Sequence, residues 1–385
     1  MNRITKLLAA LLFAAFATLP LAAAAQIRIG VLVSSTGNGA VVGIPQKNSA
    51  ALLPAKIADM TVEYTVLDDA GDPTNTVRNA KKLMSENHVD ALIGPSLSPN
   101  AMAILGFIAE EKVPLIATVG TDAIIEPMDD KRRWAFKTTQ TDDLICAALV
   151  AHMVKNRVKT AGFIGFADPY GENWYKTFSA QAQKNGIQII ANERFLRTDT
   201  SVVGQAAKII QAKPDAVLVG AAGGPTVLPH TTLVEAGYKG RIYQTHGAAT
   251  ADFIRLGGAK VEGTVLAAGP MLVIDEIPAS NPIKAVTLKY IADYEKLHGA
   301  KPSTFGANTY DAGLILARAI PVALKSGKPG TVEFRTALRD AIEQTRDLVG
   351  AQGVFNMTPT NHHGMDERAR VLVTVEGGKF KLLKD

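Results

Sequence analysis

The chain says nearly the same thing twice. Val89–Asn100 reads VDALIGPSLSPN and Pro214–Thr226 reads PDAVLVGAAGGPT. Each copy is an acidic residue, a short apolar run, a glycine, and then a proline that can open a helix. The second copy carries one inserted residue. Each is followed by another strand-like run, Pro114–Thr118 and Arg241–Thr245, and preceded by an apolar strand start, Ile27–Val33 and Thr160–Phe166. A layout used twice within 385 residues implies two α/β lobes. Two lobes imply a cleft between them, where ligands commonly sit.

Strand and helix patterns alternate after Gln26. Strands are expected at Ile27–Val33, Thr61–Leu67, Ala91–Ile93, Leu115–Thr118, Thr160–Phe166, Ile187–Asn192, Ala216–Val219, Arg241–Gln244 and Thr264–Ala268. Helices are expected between them, with Asp72-Pro73 opening one and Asn185-Gly186 closing another. Short apolar runs alternating with amphipathic helices argue for βαβ units and parallel sheets. From Pro282 the pattern changes to three helices, 282–298, 305–326 and 331–345, followed by strand-like pieces at 353–356, 369–375 and 379–383. Three long helices make no third sheet, so they should return to cover the first lobe. The chain then crosses between lobes near Thr139–Thr141, near Gly269–Val273, and between Phe355 and Met365, and such crossings form a hinge. The fold class is α/β: two Rossmann-like lobes with parallel sheets and a three-crossover hinge. Residues 26–141 with 271–354 form one lobe, and 142–270 with 355–385 the other.

The first 25 residues stand apart. Arg3 and Lys6, the apolar stretch Leu7–Leu21 and the small residues Ala23-Ala24-Ala25 form a secretory leader, with cleavage expected before Gln26. The apolar stretch is short for a membrane span, and no later segment reaches spanning length. Cys146 is the single cysteine, so it makes no internal disulfide, and it lies too far from the cleavage site to carry a lipid. A monomer in a Gram-negative periplasm, without direct membrane insertion, is the expected form. The leader has no Arg-Arg pair, which argues against export of a prefolded, cofactor-loaded protein. No cofactor is expected. The net charge of +5 includes both leader cations, and the remaining basic residues are scattered. That pattern excludes nucleic acid as a partner.

In open α/β sheets, ligands bind beyond the carboxyl ends of strands. The loops to inspect are Ser34–Gly43, Pro95–Asn100 and Val119–Asp122 in the first half. In the second half they are Ala167–Gly171, Ala221–Pro225 and His246–Ala249. Ser98-Pro99 is the strongest local signal: Ser98 can cap the helix that Pro99 begins, and free N–H groups there favour an anion such as a carboxylate. Gly37, Gly39 and Gly43 miss the dinucleotide spacing by one residue. Asp68-Asp69 reads as a polar turn rather than a catalytic pair. His362-His363 reads as a solvated linker rather than a metal site. Nucleophile elbow, zinc-protease, P-loop and C-x-x-C motifs are missing.

Leu67-Asp-Asp-Ala-Gly-Asp-Pro-Thr74, the helix through Ala80 and Leu83, Val89–Gly94, Pro114–Ala117 and Asp168-Pro-Tyr-Gly-Glu172 together resemble the periplasmic branched-chain amino-acid-binding proteins. These are the solute-binding components of ABC transporters, non-enzymes that trap a ligand on closure and deliver it to an inner-membrane ABC permease. The resemblance covers essentially the whole chain after the leader. It implies that Ser98 and Thr121 hold a ligand carboxylate, in loops that also carry Ser96 and Gly120, and that Tyr170 covers the ligand. The departures are equally informative. Where the resemblance implies an acidic residue for the ligand ammonium, this chain has His246. One family aromatic falls at Ala222-Gly223 and another at Val42, so side-chain volume is lost at both. The family disulfide would need cysteines at Gly71 and Leu97. The expected ligand is a small carboxylate without an α-amine and larger than leucine: an aromatic acid, or an aromatic or branched α-keto acid. The alternatives are a branched-chain amino acid or amide binder of the same fold and, from another class, a periplasmic hydrolase using Ser98 with His246, or a sensor subunit.

Overall fold

The computed structural model describes residues 26–384, so the leader and its cleavage site lie outside the described residues. The first sheet has the order β2-β3-β1-β4-β5-β6, with β1 Ile27–Val33, β2 Lys56–Ile57, β3 Met60–Asp68, β4 Ala91–Ile93, β5 Leu115–Ala117 and β6 Ala135–Lys137. All of its pairings are parallel except the short β2 against β3. Helices α1 Ala40–Ala50, α2 Pro73–Ser85 and α3 Ser98–Glu110 connect these strands. Helix α4, Asp142–Lys155, carries the chain into the second sheet.

That sheet has the order β15-β14-β11-β10-β9-β7-β8. Its strands β7 Thr160–Phe166, β8 Gln188–Phe195, β9 Ala216–Gly220, β10 Arg241–Gln244 and β11 Val265–Ala268 run parallel. Helices α5 Pro169–Lys184, α6 Val203–Ala212, α7 Val227–Glu235 and α8 Ala251–Gly257 link them. The chain then returns through α9 Ile283–His298, α10 Thr304–Ala323, α11 Val332–Glu343 and a small hairpin of β12 Leu348–Val349 with β13 Val354–Phe355. It ends as β14 Val371–Glu376 and β15 Lys379–Leu382, antiparallel at the edge of the second sheet.

The apolar runs become strands because both faces of each sheet are covered, and such strands carry near-continuous hydrophobic sequence. In the first lobe, Ile29 and Val31 pack on one face with Ile315, Leu316 and Ile342 of the returning helices. Leu32 and Leu92 pack on the other with Leu83 and Ile104. The returning helices therefore cover one face of the first sheet. α9 docks there too, through Tyr290 Oη with Ser49 Oγ at 2.8 Å and Asn48 Nδ2 with Tyr294 Oη at 3.0 Å.

The repeated acids do the same work in both lobes. Asp90 accepts from the backbone N–H of Arg28 at 3.0 Å, and Asp215 from those of Lys159 and Thr160 at 2.8 Å each. Each acid thus ties the start of its repeat to the first strand of its own sheet.

Four expectations change. Ser34–Gly43 is not all loop, because α1 begins at Ala40 and places Val42 on a helix. The strand β6 went unread: its Ala135-Phe136-Lys137 ends in a charged residue whose burial no local pattern marks. His362 and His363 are not a solvated linker: they are 1% and 4% exposed, and His362 stacks on Phe136 at 4.1 Å while its Nδ1 meets Ala135 O at 2.8 Å. Among the described residues no cluster could hold a metal. The last crossing falls later than the Phe355–Met365 interval, because Phe355, Met357, Met365 and Ala369 are buried in the first core before β14 joins the second sheet. Cys146 is fully buried, and burial pushes its thiol pKa up, away from reactivity.

Candidate functional site

The two sheets point their carboxyl ends at one another, and a small cavity of about 20 Å³ lies between them. Its wall includes Val42, Ser96, Ser98, Gly120, Tyr170, Ala222 and His246. All of the expected site residues except Thr121 are therefore brought together. A wider polar groove of about 530 Å³ opens at the amino ends of the second sheet, around Val158, Asp215 and Arg241, where strand geometry offers no ligand position.

Ser98 does not cap its helix. α3 begins at Ser98 itself, Leu97 occupies the capping position, and no side chain satisfies the first turn. Ser98 Oγ instead accepts from the N–H of Thr121 at 3.2 Å. The hydroxyl and an uncapped helix end thus occur together, a combination suited to an anion. Thr121 stands behind the wall: its Oγ1 accepts from Ala123 N at 3.3 Å and caps the next turn. Ser96 lines the cavity, but its hydroxyl is engaged, donating to Gln46 Oε1 at 2.5 Å and accepting from Ser34 N at 2.9 Å. Asp69 is wholly buried and ties this side together. It accepts from Ser34 Oγ at 2.6 Å, Thr76 Oγ1 at 2.9 Å and Asn100 Nδ2 at 3.0 Å. The Asp68-Asp69 turn is thus a brace for the loops, not a reacting pair.

From the second lobe, Asp168 caps α5 by accepting from Tyr170 N at 2.8 Å and Gly171 N at 3.3 Å. Tyr170 Oη lies 2.8 Å from Thr245 Oγ1. Thr245 donates its own proton to Ala221 O at 2.9 Å, so Tyr170 is the donor of that pair. The Tyr170 ring then lies directly over Gly120 of the first lobe. A Cβ at Gly120 would stand 2.4 Å from Tyr170 Cε2 and 3.3 Å from His246 Nε2. Only a glycine permits this approach.

His246 is buried, and no hydrogen bond reaches its Nδ1. Burial, aided by the charge of Lys137, pushes its pKa down to about 3. The ring is neutral at pH 7 and offers one donor and one acceptor. Lys137 itself is fully buried, bonded to Asp122 Oδ1 and Gly120 O at 2.5 Å each and to Gln140 O at 3.1 Å. Asp122 Oδ2 in turn accepts from Asp142 N at 2.8 Å, where the chain enters the second lobe. Burial and the neighbouring Asp122 raise the Asp142 pKa.

Sequence reasoning missed Thr139, Arg197 and Phe305, which line the wall together with Leu97, Thr118 and Gly247. Thr139 Oγ1 is buried without a partner. Thr139 and Arg197 follow the carboxyl ends of β6 and β8, so the strand-end rule could have found Arg197, whose strand was read. Phe305 comes from the returning α10, and no local signal marks it.

This architecture, two mainly parallel sheets facing across a hinged cleft, is that of the type I periplasmic binding proteins. The sequence pattern of the family described as "Periplasmic binding protein" matches residues 26–379, and the chain belongs to that family. That family is one of ligand-binding proteins without catalysis, so the hydrolase alternative falls. A solved extracellular ligand-binding receptor from Rhodopseudomonas palustris HaA2 is similar at 43% identity and TM-score 0.90, covering 93% of this chain and 100% of that one. A Leu/Ile/Val-binding protein homolog 3 from Brucella melitensis is 24% identical over 68% of this chain and 72% of its own length. A solute-binding protein of Rhodopseudomonas palustris BisB5, solved in complex with 3,4-dihydroxybenzoic acid, shares the fold at 19% identity and TM-score 0.77, covering 93% of this chain and 96% of that one. Among the described residues no helix is long and apolar enough to cross a membrane.

Proposed function

We propose that this protein closes on a small organic acid that has no α-amine and presents it to an inner-membrane ABC permease from the periplasm. The carboxylate rests on Ser98 Oγ and the uncapped first turn of α3, and the ring of Tyr170 covers it. An aromatic acid, or an aromatic or branched α-keto acid, fits this description. One observation carries the reading: the cavity wall holds a cation, Arg197, and a neutral imidazole, His246, but no carboxylate. An α-ammonium group would lose its hydration there and find no anion to offset the cost. Val42 and Ala222 stand where the family resemblance implies aromatic rings, which favours a ligand larger than leucine once the lobes part to admit it, since a cavity of about 20 Å³ has room for no more than a water. That a fold neighbour was solved with a dihydroxybenzoic acid is in keeping with this class of ligand.

Calorimetric titration tests it directly, with benzoate, the hydroxybenzoates, phenylpyruvate, 4-methyl-2-oxopentanoate and leucine as probes. At least one of the acids is expected to bind with a micromolar dissociation constant, about −8 kcal/mol. Tight binding of leucine without any response to the acids would sink the proposal.

A further inference from the structure

The second lobe carries an oxygen-binding group that neither the repeat nor the family resemblance pointed to. Arg197 lies just beyond β8 and lines the cavity. Its Nε donates to Asp168 Oδ2 at 2.6 Å, and its guanidinium carbon sits 4.0 Å from the centre of the Phe166 ring. The ion pair and the ring fix the guanidinium plane, and the side chain is only 12% exposed. Its two terminal nitrogens have no hydrogen-bond partner among the described residues. A rigid guanidinium with unused N–H groups at a cleft wall is a preorganised donor for oxygen.

The surrounding charge selects which oxygen. Asp168 already balances Arg197, and its other oxygen is taken by the N–H groups of Tyr170 and Gly171. A second carboxylate would therefore bring an uncompensated negative charge against a wall whose cation is paired. The remaining polar group on this side is His246, buried, neutral and without a partner at Nδ1. Arginine only donates, whereas neutral histidine donates at one nitrogen and accepts at the other. A hydroxyl group, which accepts one hydrogen bond and donates another, answers both residues. A keto oxygen answers only the donors.

Resting on the reading that Ser98 holds the ligand carboxylate, we propose that Arg197 and His246 form a hydroxyl-reading subsite on the second lobe. The ligand is then a hydroxylated organic acid that spans the cleft, with its carboxylate on the first lobe and its hydroxyl on the second. Arg197 donates to the hydroxyl oxygen, and the hydroxyl proton goes to the accepting nitrogen of His246. Because the two anchors belong to different lobes, the hydroxyl is read only when the lobes meet.

The test uses benzoate, 3-hydroxybenzoate, 4-hydroxybenzoate and 3,4-dihydroxybenzoate as calorimetric probes of the wild type, Arg197→Gln, Arg197→Lys and Ser98→Ala. A hydroxylated acid should bind the wild type about tenfold or more tightly than benzoate, since a site built to bond a hydroxyl rejects an analogue lacking it. Arg197→Gln should weaken the hydroxylated acids by a larger factor than benzoate and so erase that preference. Arg197→Lys keeps the charge opposite Asp168 but loses the planar fork, so it should restore benzoate affinity in full and the hydroxyl preference only in part, whereas a merely structural role would restore both alike. Ser98→Ala should weaken all of the acids together. Equal loss of benzoate and hydroxybenzoate binding in Arg197→Gln would overturn the proposal, because Arg197 would then hold the carboxylate itself. So would a wild type that binds benzoate as tightly as every hydroxylated acid. Binding of none of the acids would overturn the carboxylate reading, and this subsite with it.

Discussion

Replacing Gly120 by alanine should separate closure from folding. The added Cβ would stand 2.4 and 2.8 Å from Cε2 and Cδ2 of Tyr170. Carbon atoms in good contact stand about 3.5–4.0 Å apart, so the ring would have to retreat by roughly 1 Å. It has no room to do so within its own lobe. Its hydroxyl is tied to Thr245 at 2.8 Å, its backbone N–H to Asp168 at 2.8 Å, and the buried Trp174 packs nearby with ring centres 6.4 Å apart. The lobes must part instead. Overpacking of this kind costs about 1–3 kcal/mol, charged only to the form in which the lobes meet. At about 1.4 kcal/mol per tenfold, that is a loss of roughly 5- to 150-fold in ligand affinity. The fold itself should not suffer, because Gly120 lies outside the left-handed backbone region that alanine avoids. The unfolded chain loses freedom, which stabilises the unliganded protein by about 0.4–1 kcal/mol. Calorimetry with the tightest-binding acid and thermal melts without ligand read the two effects separately. Weaker binding with an unchanged or higher unliganded melting temperature is expected. Unchanged affinity, or a fall in unliganded stability that matches the loss of binding, would refute the steric argument.

Two further predictions concern charge. Burial holds the pKa of His246 near 3, against 6.5 for a free histidine, so the native state takes up no proton there between about pH 8 and 5. Acid binding should therefore not tighten as pH falls through 6.5, and an NMR titration should show the ring neutral throughout; a tenfold gain in affinity below pH 6.5 would show that it protonates. A depressed histidine pKa gives stability that is fully present above pH 6.5 and is lost as pH falls toward about 3, so this group adds to acid unfolding rather than opposing it. Lys137→Met leaves Asp122 buried without its cation and should cost about 3–5 kcal/mol in chemical denaturation. Adding Asp122→Asn should restore part of that loss, and a double variant less stable than Lys137→Met would contradict the buried-pair account.

The alternation of strands and helices was legible because parallel strands covered on both faces must be apolar throughout. Ile27–Val33, Ala91–Ile93 and Thr160–Phe166, apolar but for Arg28 and Thr160, therefore mark themselves in the sequence and form strands at those limits. The helix start at Asp72-Pro73 was legible for a local reason, since capping needs only a carboxylate and the N–H groups of the next turn; Asp168-Pro169 carries the same signal, although Ala167–Gly171 reads as loop. The helix Ala40–Ala50 was not, because it contains Pro45 and lies partly in a glycine-rich stretch. His362 and His363 looked solvated because polarity was the only local guide, while their burial depends on Phe136 and Glu343, far away in the chain.

The division at the cleft is similar. By itself the sequence determined that two α/β halves face each other through their strand ends, and that Ser98, Tyr170 and His246 lie just beyond those ends. Short-range rules suffice for that, because where a strand ends depends on the residues around it. The tertiary structure alone decided that Ser98 leaves its helix uncapped, that Thr121 turns away behind it, and that Arg197 and Phe305 line the wall. It also decided that Tyr170 rests on Gly120. These outcomes depend on where a side chain finds its partner: Ser98 meets Thr121 from another loop of its own lobe, Tyr170 meets Gly120 across the cleft, and Phe305 arrives on a helix that returns late in the chain. No local pattern encodes such a meeting, because it exists only once both lobes and the hinge between them have formed.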